Sequence, residues 1–91
     1  MSGAELLALQ VRLGVTQAEM ASILGVNRRT VHRWETETSV PDPRQQEILT
    51  IMESIRMTDT EIRAIMPMGG LYVLNVILTM YFEQHARICR A

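Results

Sequence analysis

The stretch Thr16–Glu35, TQAEMASILGVNRRTVHRWE, constrains the fold of this chain more than any other. Thr16 and Glu19 have the spacing of a capping box, in which hydroxyl and carboxylate each satisfy the other residue's backbone N–H, so a helix starts at Gln17. Met20, Ile23 and Leu24 follow at the three- and four-residue spacing of one apolar helical face. Gly25 stands where that helix needs a left-handed residue to end. Asn27 suits the cap of a second helix, with Val26, Thr30 or Val31, and Trp34 turned inward. Arg28, Arg29, His32 and Arg33 are left between those inward positions. A short helix with three guanidinium groups on its outer face, set on a tight turn, has the shape of an element that enters a DNA groove.

Charge bears on that reading in two directions. The 91 residues carry a formal net charge of −1, so the chain has no global basic field for nucleic acid. The positive charge is instead concentrated locally at Arg28, Arg29 and Arg33. All nine basic residues are arginine, whose planar fork fits phosphate or a guanine edge, and fits a carboxylate equally well. The single cysteine, Cys89, excludes an intramolecular disulfide and suits a reducing cytoplasm. The N-terminus lacks the pattern of a signal peptide. The apolar run 71–82 is shorter than the ~20 residues of a membrane span. A cytoplasmic protein is therefore expected, with no membrane association and no cofactor.

Taken in order, Ser2 and Glu5 form another capping box, opening a helix through about Leu13 that buries Leu6, Leu9 and Leu13, with Leu7 and Val11 nearby. The motif pair follows, then the polar connection Thr36–Val40. Asp42 before Pro43 marks the start of a fourth helix, to about Arg56, burying Ile48, Leu49, Ile51, Met52 and Ile55. Thr58 and Glu61 cap a fifth, burying Ile62, Ile65 and Met66, before Pro67 and Gly69–Gly70 interrupt the chain. Residues 1–66 are thus expected to form an all-α, five-helix domain. Residues 67–91 form a separate apolar segment. LYVLNVILTMYF is apolar all round, which implies burial on more than one side. Its composition also suits a strand, but its continuation into a helix-permissive tail favours a helix. In a chain this small the second side is assigned to another copy, through Leu71, Leu74, Asn75, Ile77, Leu78, Tyr81 and Phe82. Asn75 either fixes the register of that pairing or is an ordinary surface amide.

Residues 5–66 resemble the lambda-repressor-like, or Xre/Cro-type, helix-turn-helix family. The likeness is carried by LGVTQAEMASILGVNRRTVHRWE: Gln17 opening the first motif helix, Ala21 at the crossing, Gly25 in the turn, Val26 and Val31 inside, and Trp34–Glu35 closing the second helix. The resemblance implies a five-helix DNA-binding domain, here with an added C-terminal dimerisation helix. It places the base-reading positions on Arg28, Arg29 and Arg33, each able to address guanine through paired hydrogen bonds. Thr16, Gln17, Asn27, Thr30, His32 and Arg44 become candidates for phosphate contact or support, with Gln17 also bracing Arg28, and Trp34 is expected in the core. Two departures stand out. Gln10 occupies a site where family members often carry an arginine paired with the glutamate found here as Glu35, so a hydrogen bond to Gln10, or Arg12, would replace that ion pair. The loop after the third helix holds Glu37, which would repel DNA if turned toward it.

These features imply a DNA-binding regulator, a homodimeric repressor of phage or mobile-element type that acts on a palindromic operator, its own promoter included. An antitoxin-type module holding a toxin through the C-terminal segment is the alternative. Catalysis has little support. His32, His85 and Cys89 are the only nucleophile or ligand candidates at neutral pH, and the His85–Cys89 pair supplies too few ligands for a closed zinc site.

Overall fold

The computed structural model describes residues 1–90, with side chains through Ala86. The described chain is helical throughout: α1 (Gly3–Leu13), α2 (Gln17–Leu24), α3 (Arg28–Glu35), α4 (Pro43–Ser54), α5 (Asp59–Ile65), a 3₁₀ turn (Met66–Met68) and α6 (Gly70–Arg90). Local capping sets nearly every start. Ser2, Thr16 and Thr58 each close a full capping box with the glutamate three residues on, and Asp42 accepts from the Gln45 N–H at 2.8 Å ahead of Pro43. Gly25 ends α2 at φ 70°, a conformation that glycine reaches without a Cβ penalty.

One core holds all six helices together. Leu13, Met20, Val31, Leu49, Met52, Ile62, Val73 and Ile77 have no exposed surface. The inward stripe of α1 is narrower than its sequence suggests. It consists of Gly3, Leu6, Leu9, Gln10 and Leu13, while Leu7 and Val11 are 47 % and 80 % exposed. Within α4, Leu49 and Met52 are buried, Ile48 and Ile51 only half so, and the helix ends at Ser54, with Ile55 buried just beyond it. Arg12 closes that end, donating from Nη2 to the carbonyls of Met52 and Glu53 at 2.9 and 3.1 Å.

The apolar segment 71–82 lies within a helix, not a strand. Its start is held against α2 so closely that a Cβ on Gly70 would overlap the backbone of Ser22. Val73 and Ile77 follow at i+3 and i+7 from that contact and are buried in the chain's own core. This corrects the placement of Ile77 at a subunit interface: α2 and its neighbours already cover it. Leu74 and Tyr81 are half-buried against the same core, whereas Leu71, Asn75 and Phe82 lie on the opposite, exposed face, with Leu78 partly exposed beside them. No helix among the described residues is long and apolar enough to cross a membrane.

Candidate nucleic-acid interface

The candidate interface is the outer face of α3. Asn27 caps this helix, its Oδ1 accepting from the Arg29 N–H at 2.8 Å. Val31 and Trp34 anchor it, at 0 % and 6 % exposure, so Trp34 is a core residue. With that side fixed, the 100° step per residue turns Arg28, Arg29, His32 and Arg33 outward, and all four are exposed, while Thr30 is half-buried at the edge. Three guanidinium groups thus share one short, rigidly held surface.

Behind them lies a polar chain that joins three helices. Glu35, its side chain only 9 % exposed, accepts from Gln10 Nε2 of α1 on Oε2 and from Gln17 Nε2 of α2 on Oε1, both at 2.6 Å. The other end of Gln17 faces outward, where its Oε1 accepts from Arg28 Nε at 2.9 Å. His32 Nδ1 lies 3.4 Å from Gln17 Nε2 and 4.0 Å from Glu35 Oε1. Gln10 therefore stands where an ion pair to Glu35 would be formed by an arginine, and Arg12 is committed to the end of α4 instead. Gln10 is itself buried, at 6 % exposure. Periodicity marks its position in α1 as inward, but an amide there is legible only once Glu35 is brought beside it.

Other candidates fall around this face. Thr16 Oγ1 accepts from the Glu19 N–H at 3.1 Å, which leaves its hydroxyl hydrogen for another acceptor. Glu37 does not face outward as an isolated acid. The backbone turns left-handed there, at φ 61°, and its carboxylate accepts from the Gly3 N–H at 3.0 Å, at the positive end of α1. Arg44 lines a shallow groove with Ser22, Gly25, Leu71 and Leu74, and no α3 arginine lines that groove. On α6, the His85 ring packs against Tyr81 with centroids 4.3 Å apart, while the side chain of Cys89 lies outside the described residues.

The Glu19–Arg63 pair braces the motif from α5. Arg63 of α5 donates to both Glu19 oxygens, at 2.6 and 2.9 Å, and to the carbonyl of Gly14. The two Arg63 bonds to its oxygens, together with the Thr16 N–H, hold the Glu19 carboxyl down to about 2, from its ordinary 4.5. Among the described residues no group of three His, Cys, Asp or Glu side chains could hold a metal ion.

A helix-turn-helix family model matches residues 7–50, from within α1 to within α4. Searches of curated proteins and of solved structures gave no match. The matched span contains both motif helices, the turn glycine and the buried pair Val31 and Trp34 that orients the arginine face. Residues 7–50 thus carry a helix-turn-helix of the Xre/lambda-repressor-like type, which supports a DNA-binding transcriptional regulator.

Proposed function

We propose that the protein is a cytoplasmic, sequence-specific repressor that binds an inverted-repeat operator as a homodimer, with α3 in the major groove. The observation that carries this reading is the exposed trio Arg28, Arg29 and Arg33 on a helix whose other side is locked by Val31 and Trp34. Arginines at the first turn and one turn further along a recognition helix reach successive base edges, with guanine O6 and N7 as their best partners. Phosphate contacts come from the start of α2, where the Thr16 hydroxyl and the N–H groups of Gln17 and Ala18 are available at the positive helix end. The Gln17 side chain is occupied by Glu35 and Arg28, so its part in phosphate binding falls to its backbone. Asn27, Thr30 and His32 flank the same surface.

The second copy docks along α6. Leu71, Asn75, Leu78 and Phe82 recur at i, i+4, i+7 and i+11, and Leu71 and Phe82 are 71 % and 62 % exposed. An apolar stripe of this kind suits a partner helix, and two-fold pairing repeats the α3 surface about one DNA turn (~34 Å) away. Repression of the protein's own promoter, in the manner of phage and mobile-element regulators, makes occupancy a function of protein concentration. Selection from random duplex DNA tests the reading. An inverted repeat with guanine-containing half-sites is the expected product. Recovery of single half-sites by a monomer, or capture of a toxin by the α6 stripe in place of a second copy, contradicts the homodimer.

A further inference from the structure

Arg28 differs from its two neighbours in being held by Gln17, and Gln17 is itself tied to Glu35, which lies behind the surface. We infer that Glu35 is a specificity-determining positioning residue: its part-buried carboxylate fixes the polarity of Gln17, and Gln17 in turn presents Arg28 to one guanine of the operator. The inference rests on the major-groove reading above and names which arginine carries the strictest readout.

The chemistry runs in one direction. An ionised carboxylate only accepts hydrogen bonds, whereas a glutamine amide has one accepting and one donating end. Glu35 therefore requires the NH₂ end of Gln17, at 2.6 Å, and leaves Oε1 pointing at Arg28, where it accepts from Nε at 2.9 Å. With Nε taken, Arg28 retains its two terminal nitrogens, an end-on fork that matches guanine O6 and N7. Gln10, donating at 2.6 Å to the second oxygen of Glu35, stops the carboxylate from rotating away. No comparable bond to another described residue ties Arg29 or Arg33, so each adapts its side chain on contact and loses rotamer freedom in doing so. Glu35→Gln removes the directional rule. A neutral amide at 35 can accept or donate, so Gln17 is free to reverse and turn its NH₂ toward a guanidinium that cannot accept.

The test compares base preferences, position by position, selected from random duplex DNA by the wild type and by Arg28→Ala, Glu35→Gln and Gln17→Met. Arg28→Ala identifies the base pair read by residue 28. Glu35→Gln and Gln17→Met are expected to lower guanine preference at that pair by about tenfold, a part of the discrimination of a good bidentate contact, with preferences elsewhere in the half-site kept. A purely structural role for Glu35 would lower affinity for all sites alike. Should Glu35→Gln fail to fold, Gln17→Met, at a half-buried position, and Gln10→Met carry the comparison, with the same loss expected from each. Unchanged guanine preference at the residue-28 position, an equal loss at every position, or an Arg28→Ala variant that alters no position overturns the inference while leaving DNA binding intact. A wild-type chain that enriches no sequence overturns the functional reading itself.

Discussion

Gly70 meets Ser22 backbone to backbone: the first residue of α6 lies so close to the middle of α2 that no side chain fits between them. This contact turns α6 from an appendage into a wall of the DNA-binding domain. It brings Val73 and Ile77 into the core and leaves the opposite edge of the same helix free.

Gly70→Ala should therefore lift α6 away from α2, because the obstruction includes the Ser22 backbone carbonyl as well as its Oγ, and the backbone cannot rotate aside. A loss of about 1–3 kcal/mol is expected, within the usual range for overpacking a tight site. Urea unfolding followed by circular dichroism measures it. An unchanged midpoint would mean that α6 does not dock where it is described.

The two edges of α6 separate in mutational effect. Ile77→Ala should cost about 2–5 kcal/mol of folding stability, as expected for truncating a fully buried aliphatic side chain. Leu71→Glu with Phe82→Glu should leave the helical signal intact and convert the proposed homodimer to a monomer in sedimentation. A reversal of these outcomes, with Ile77 controlling association, would place the subunit contact on the other side of the helix.

Much of this division was legible in the chain, and the part that was not has a common cause. The helix starts are readable because the caps are local. Ser2 with Glu5, Thr16 with Glu19, Asp42 with Pro43 and Thr58 with Glu61 carry their own instructions within four residues. The outward set Arg28, Arg29 and Arg33 is readable for the same reason, since Val31 and Trp34 fix the face. That 71–82 continues as a helix is also readable, but which of its residues enter the core is not. That choice depends on Gly70 meeting Ser22, which lies far away in sequence. The turning of Glu37 onto Gly3 and of Arg12 onto α4 likewise depends on partners more than thirty residues distant. The Gln10–Glu35 bond was anticipated because a family resemblance supplied the pairing, which spacing alone does not.

Acid should loosen the brace beneath the motif. The Glu19 carboxyl is held at about 2 in the folded chain against an ordinary 4.5, so the unfolded chain binds a proton more readily. Stability from the Glu19–Arg63 contact is thus fully present above about pH 5 and is lost as pH falls from about 4.5 toward 2. In Arg63→Met the dependence of the unfolding midpoint across this window should flatten. Both partners are reached by solvent, and salt should weaken the effect in the wild type. An unaltered pH profile in the variant would show that Glu19 owes its acidity to other groups.

Binding of the selected inverted repeat by the wild type and by Arg28→Ala/Arg29→Ala, in a mobility shift at fixed salt, puts the arginine face of α3 to direct trial. Loss of the two side chains proposed to read bases should weaken specific binding by at least about 2 kcal/mol, roughly thirtyfold. The melting temperature should stay close to that of the wild type, because both residues are exposed. Equal binding of the repeat by the two proteins would contradict a recognition surface built on these arginines.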